Sequence, residues 1–336
     1  MILVTGGTGL VGAHLLYRLV EDNKQVKAIY RSESSLKNVR QVFSTYTDDS
    51  DLLLNKIIWI EADLLDIPSL TTAFSGVTMV YHCAAFVSFD PRKYYQLRRI
   101  NIEGTANVVN ICLEQQINKL CYVSSISTLG ITTNGEPITE NSFWNPEEDN
   151  SFYGITKYGA EMEVWRGSQE GLSVVIVNPG VILGPGIWDN GTGSLFKKAR
   201  KGIPFYSKGT IALINVKDVV TIMIRLMQSS IQNDRFILVA ENWSYKRFLK
   251  SLSASVNQKP PERTASALLL NLAWKLDWLI HILTKKPRTL TKQIVKALQK
   301  EKLYSSAKIE RALDYSFEPI DQTISTIGHH YLRQDQ

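Results

Sequence analysis

Residues Thr5-Gly6-Gly7-Thr8-Gly9-Leu10-Val11-Gly12 constrain this chain more than any other segment. They follow the apolar run Ile2 to Thr5 and open a helical pattern over Leu10 to Glu21, with glycines three residues apart at Gly6, Gly9 and Gly12. In such a strand-turn-helix unit the first glycine permits the tight turn, and the second lets backbone approach a pyrophosphate. The third lets helix pack on strand, and the helix N-terminus offers free N–H donors and a positive dipole. A plain strand-turn-helix would carry one or two of these features, whereas the flanking context here matches the whole dinucleotide-binding arrangement. Gly6, Thr8, Gly9, Leu10, Val11 and Gly12 are therefore expected to hold a dinucleotide.

Five further apolar runs repeat the pattern: Val26 to Tyr30, Ile57 to Ile60, Met79 to His82, Leu120 to Val123 and Val174 to Val177. Each is apolar at consecutive positions, as expected for strands covered on both faces of a parallel sheet. Helical segments such as Arg92 to Gln115 and Phe152 to Ser168 separate them. The expected fold is α/β, a doubly wound parallel sheet of the Rossmann kind with a smaller, mainly helical C-terminal lobe for substrate. The core is expected over residues 1–178, with the chain returning to it at about 212–240. The lobe then takes residues 179–211 and 241–336. A strand near Ala212 to Asn215, a helix over Val216 to Met227 and a strand at Phe236 to Ala240 are expected within the return.

The second strand ends in Tyr30-Arg31-Ser32, where an NAD site usually carries a carboxylate for the ribose 2′-OH. Arg31 suits a 2′-phosphate instead, because a guanidinium stacks on adenine and binds phosphate bidentately, with Ser32 or Ser34 as extra donors. NADP is thus favoured over NAD, the alternative for Arg31 being a solvated arginine at a strand end.

Tyr153 and Lys157 stand four residues apart, on one face of a helix. A phenol with its ordinary pKa of about 10 exchanges protons poorly at neutral pH; the Lys157 ammonium can stabilise its phenolate while hydrogen-bonding the nicotinamide ribose, so Tyr153 and Lys157 are expected to meet the cofactor as well. The same spacing recurs at Tyr304 and Lys308, but no serine-bearing strand end precedes it, so that copy is read as a helix start capped by Ser305 or Ser306. Upstream of Tyr153, the strand Leu120 to Val123 ends in Ser124-Ser125-Ile126-Ser127, at the carboxyl edge where open α/β sheets bind ligands. Ser125, with Ser127 in reserve, is the candidate donor to a substrate carbonyl.

Taken with Asp63-Leu64, His82-Cys83-Ala84-Ala85, Asn101 to Thr105 and Pro179 to Gly186, these motifs resemble the extended short-chain dehydrogenases/reductases. The broad group is the epimerase/dehydratase and 3β-hydroxysteroid-dehydrogenase type, and the likeness spans about residues 1–220. It implies that Asp63 and Leu64 contact adenine, Ala84 and Ala85 the cofactor backbone, and Pro179 to Val181 the nicotinamide. The plainer alternatives are a turn cap for Asp63 and close packing for the alanines. Asn101 is expected to bond backbone rather than substrate. Nucleotide-sugar epimerases usually carry Arg-x-x-Asn-x-Tyr-Gly-Pro after the sixth strand. The segment Val177-Asn178-Pro179-Gly180 to Pro185 is more similar to dihydroflavonol-reductase-like and hydroxysteroid-dehydrogenase-like members.

The expected activity is therefore a ketone/secondary-alcohol oxidoreductase acting on a bulky apolar substrate. Ser125 would orient the carbonyl, hydride would come from NADPH, Tyr153 would donate the proton and Lys157 would stabilise Tyr153. The rivals are a nucleotide-sugar epimerase or dehydratase with tightly bound NAD, and a non-catalytic NADP sensor that would have no need of the phenol.

Composition bounds the rest. The chain has 336 residues, 44% hydrophobic and 21% charged, which excludes disordered, fibrous and polytopic membrane classes. Three cysteines without C-x-x-C spacing and five histidines without ligand spacing suggest neither disulfide framework nor metal. No export signal is evident at Met1 to Gly6, and a cytoplasmic location is expected. The formal net charge is +6, yet residues 285–302 alone hold seven basic residues and one acidic, leaving 31 of each sign elsewhere. Nucleic acid is accordingly not expected as a partner.

Residues 265–283 carry 14 apolar side chains of 19, interrupted by Asn271, Lys275, Asp277 and His281. A pocket-lining helix, a peripheral contact of 265–302 with the inner face of a membrane, and a membrane span are the open readings, the interruptions counting against a span. The resemblance also implies that a homodimer could form through the helices near Arg92 to Gln115 and Phe152 to Ser168.

Overall fold

In the central strands both alternating sets of side chains are apolar because both faces of the sheet are covered. Along the first strand, Leu3 packs into one core and Val4 into the other; along the sixth, Val174 and Ile176 face one side and Val175 and Val177 the opposite one. The computed structural model describes residues 1–132, 135–284, 288 and 290–334. Lys285 and Lys286 of the basic stretch lie outside the described residues.

The first half runs β1 (Ile2–Thr5), α1 (Leu10–Glu21), β2 (Val26–Tyr30), α2 (Leu36–Phe43), α3 (Ser50–Leu54), β3 (Ile57–Glu61), α4 (Ile67–Phe74) and β4 (Met79–His82). It continues through α5 (Tyr94–Arg98), α6 (Gly104–Glu114), β5 (Lys119–Val123), α7 (Phe152–Gln169) and β6 (Val174–Pro179). The second half comprises β7 (Val181–Leu183), α8 (Gly193–Arg200), β8 (Phe205–Tyr206), β9 (Thr210–Asn215), α9 (Val216–Gln228), β10 (Asp234–Leu238) and β11 (Glu241–Ser244). The chain then passes through α10 (Tyr245–Ser255), β12 (Arg263–Thr264), α11 (Ala267–Thr284), α12 (Lys292–Ala297), α13 (Ala307–Leu313) and α14 (Ile320–Gln334).

A seven-stranded parallel sheet in the order β10-β6-β5-β4-β1-β2-β3 forms the centre, a doubly wound α/β fold. The strand order reverses between β1 and β4, so the carboxyl ends of β1, β4 and β5 open onto one crevice. Six strands were legible as apolar runs; the seventh, β10, is the strand expected at Phe236 to Ala240 and begins two residues earlier, at Asp234-Arg235. The strand expected near Ala212 to Asn215 exists as β9 but lies outside this sheet. It pairs with β7 and β11 in a separate three-stranded sheet, packed by Trp243, Phe248 and Ile324.

The segment Arg92 to Gln115 is not one regular helix. A π-turn at Arg99–Glu103 joins α5 to α6, and within it Asn101 is buried. At the second Tyr-x-x-x-Lys copy, Ser306 sits at the N-cap position of α13 but caps nothing. Its hydroxyl donates to the Val239 carbonyl and accepts from the Val239 N–H, both at 2.8 Å, because β10 ends beside it. Ser305 Oγ accepts from the Ala307 N–H at 3.4 Å, and Lys308 pairs with Asp234.

Candidate active site

The turn after β1 has the shape its glycines allow. Gly6 adopts φ +69°, and a Cβ there would lie 2.5 Å from the Ala84 nitrogen. At Gly12 a Cβ would come within 2.2 Å of the Gly6 oxygen. Gly9 occupies the N-cap of α1 with no side-chain cap, so the first-turn N–H donors of Leu10 and Val11 keep their capacity for an anion. A cavity of about 240 Å³ opens at this turn, lined by Gly6, Thr8, Gly9, Arg31, Asp63, Leu64, Ala84 and Ala85 together with Ile29, Tyr30, Ala62, Cys83, Phe86 and Ile100. A backbone cradle that side chains would fill, uncapped donors and an adjoining slot lined by aliphatic side chains are what an adenine dinucleotide requires, and the residues fit it. Gly12→Ala is expected to weaken NADPH binding at least about tenfold or to cost about 1–3 kcal/mol of stability, since the clash is with backbone that cannot yield. Fluorescence titration and thermal melting check it; wild-type values in both would contradict the cradle.

Around this cavity the individual predictions resolve differently. Arg31 is exposed at its rim, and its guanidinium has no hydrogen-bond or ion-pair partner among the described residues. Ser32 and Ser34 share a hydrogen bond of 2.8 Å. Asp63 serves a turn, accepting from the Leu65 N–H at 2.9 Å, and also lines the cavity. Asn101 accepts from the Phe86 N–H (2.7 Å) and donates to the Phe86 carbonyl (3.0 Å), fixing the loop after β4. His82 is held between Thr5 Oγ1 (2.6 Å) and Thr105 Oγ1 (3.0 Å); burial, with the Lys157 charge adding, pushes its pKa down to about 3, so it is neutral. Leu10, Val11, Gly12, Pro179 and Val181 do not line this cavity. Pro179 ends β6, and Val181 opens β7.

At the end of β5, Ser125 caps a short helical turn over Ile126–Thr128. Its Oγ accepts from the Ser127 N–H (3.1 Å) and from the Ser127 hydroxyl (2.9 Å), so Ser127 orients Ser125 rather than competing with it. Ser151 caps α7 through the Gly154 N–H at 3.0 Å and thereby sets the turn that carries Tyr153. Burial raises the Tyr153 phenol to about 12, with the Ser125 hydrogen bond pulling against it. The phenol packs beside Phe89, ring centroids 5.8 Å apart.

Lys157 departs from the sequence expectation. Its ammonium is buried and donates to Tyr122 Oη (2.5 Å) and the Val123 carbonyl (2.8 Å). The reason is packing: the side chain turns from α7 onto the end of β5, where burial pushes its pKa down to about 7 against the opposing charge of Glu161.

Glu161 is the residue that sequence reasoning missed. Fully buried, its Oε2 accepts from Ser124 Oγ (2.5 Å), Thr128 Oγ1 (2.8 Å) and Asn178 Nδ2 (2.8 Å), while Oε1 accepts from Arg235 Nη1 (3.0 Å). One carboxylate thus ties α7 to β5, β6 and β10 beneath Ser125 and Lys157. The available signal was its position: Tyr153, Lys157 and Glu161 follow each other at four-residue steps on one helix face.

The sequence model of the NAD dependent epimerase/dehydratase family matches residues 2–240. The chain belongs to this family. It is an NAD(P)-dependent enzyme of the extended short-chain dehydrogenase/reductase type. Among its relatives is the protein named "Putative dihydroflavonol 4-reductase" of Synechocystis sp., 30% identical over 97% of this chain and 93% of that one. Sterol demethylase protein B of Methylococcus capsulatus is 27% identical over 77% of this family member and 75% of its own length. The UDP-glucose 4-epimerase of Thermotoga maritima, solved with UDP-glucose, shares the fold at a TM-score of 0.77 and 18% identity, covering 100% and 99% of the two chains.

Proposed function

We propose that the protein is an NADPH-dependent reductase that interconverts a ketone and a secondary alcohol on a bulky, largely apolar substrate. The observation that carries this reading is the Ser125–Tyr153 couple walled by the Phe89 ring. Two hydroxyl groups can both hydrogen-bond one carbonyl oxygen, and an aromatic wall suits an apolar carbonyl better than a sugar diphosphate. A relative named as a dihydroflavonol 4-reductase and another named for a sterol support it further.

When bound, a reduced nicotinamide supplies hydride. Ser125, held by Ser127, donates to the substrate carbonyl oxygen. Tyr153, whose phenol is protonated at neutral pH, holds the proton that the nascent alkoxide takes. Lys157 lies one turn further along α7 and is the residue that would hold the nicotinamide ribose. Glu161 keeps the elements around them in register.

A panel of ketones and alcohols with NADPH and NADH tests the proposal. Turnover of apolar ketones is expected; inactivity on the whole panel, together with NAD retained through purification and seen in the absorption spectrum, would favour the epimerase alternative. For the cofactor, Arg31→Ala is expected to raise the KM for NADPH about tenfold or more while leaving NADH nearly unchanged, because only the 2′-phosphate calls for the guanidinium. An unchanged NADPH/NADH ratio would remove Arg31 from that role.

A further inference from the structure

Helix α11 carries apolar side chains on both of its faces. A surface helix ordinarily turns its apolar stripe inward and its charges to water. In α11 the half-buried positions are Leu270, Ala273 and Trp274 with Asp277 and His281, the last two tied to Arg288 (3.2 Å) and to Arg92 respectively. Leu268, Leu272, Leu276 and Ile280, at four-residue steps and 80%, 52%, 50% and 53% exposed, form a stripe facing outward, with Leu279 and Ile282 beside it. No described side chain of the helix is buried. A contiguous apolar face of this kind marks a contact surface.

What covers it is indicated by charge. Helix α12 packs on α11; Lys292 and Lys296 on it and Lys300 just beyond its end follow each other at four-residue steps and are all exposed, Lys296 pairing with Asp149. The stretch 285–302 that contains α12 holds seven basic residues against one acidic. Leucine-rich apolar surface flanked by lysines matches the interface of an anionic bilayer, where acyl chains take the apolar side chains and headgroups take the ammonium groups. No helix among the described residues is long and apolar enough to cross a membrane, so the contact is with one leaflet.

We propose that α11 and α12 form a docking surface for an anionic membrane. Helix α11 reaches Arg92, which pairs with Asp90 next to Phe89, and Phe89 packs on Tyr153. The helix that carries the docking face therefore touches, through His281 on its inner side, the loop that walls the candidate active site. The proposal does not depend on which reaction that site performs.

The test is flotation of the full chain with vesicles of phosphatidylcholine and phosphatidylglycerol in equal parts, against phosphatidylcholine alone. Partitioning is expected to be at least about tenfold stronger on the anionic vesicles and to fall with salt. The double variant Leu272→Glu/Leu276→Glu should lose it while keeping the wild-type melting temperature and NADPH affinity, since both side chains face outward. Absence of flotation, or flotation indifferent to anionic lipid and salt, overturns the proposal. So does light scattering that finds a dimer which the same variant dissociates, for the face would then belong to a second copy.

Discussion

Tyr153→Phe is expected to lower kcat by about 10²–10⁴ while leaving NADPH affinity within about twofold of wild type. The phenol is the proton source beside Ser125, whereas the cavity at the glycine turn does not include it. Removing one oxygen takes away the proton and keeps the ring against Phe89, so packing is unchanged. Single-turnover kinetics with an apolar ketone, alongside NADPH titration, measure both quantities. Reductase activity at wild-type level in the variant would end the assignment of Tyr153 as acid. A loss confined to cofactor binding would place the phenol at the cofactor rather than at the proton transfer.

Glu161→Ala should be the most destabilising single change near the site, by about 3–5 kcal/mol. The substitution strips Arg235 of its only carboxylate contact among the described residues and leaves Ser124, Thr128 and Asn178 without a shared acceptor in a dry interior. The cost comes from the buried groups left behind more than from the bonds lost. Urea denaturation measures it, and adding Arg235→Met should recover part of the loss because the uncompensated charge goes too. A cost below about 1 kcal/mol, or no recovery in the double variant, would show that the network does not organise this region.

The sheet was legible because burial on both faces writes itself into the sequence as unbroken apolar runs, and the glycine turn because only glycine satisfies its backbone contacts. Arg31 was legible from its place at the end of β2, Asp63 and the alanines after β4 through the resemblance, and the cavity does bring them together with Gly6, Thr8 and Gly9. The seventh strand was legible at Phe236 to Ala240, whereas the separate sheet around β9 was not. Strand β9 is as apolar as the central strands, and nothing local says which sheet it joins. The partners of Lys157 and the anchoring role of Glu161 escaped for a related reason. Each depends on side chains from β5, β6 and β10 that are distant in sequence and adjacent only after the sheet has closed.

By itself, then, the sequence determined the doubly wound fold, the dinucleotide turn and the serine, tyrosine and lysine that mark the family, because each rests on local periodicity or fixed spacing. Only the tertiary structure decided where the Lys157 ammonium goes, that a buried carboxylate binds the site's elements together, and that α11 turns its leucines outward. Hydrophobicity alone could not choose which face of that helix is buried. In the folded chain Asp277 and His281 meet Arg288 and Arg92 on the same side as half-buried Leu270, Ala273 and Trp274, and the stripe from Leu268 to Ile280 stays exposed.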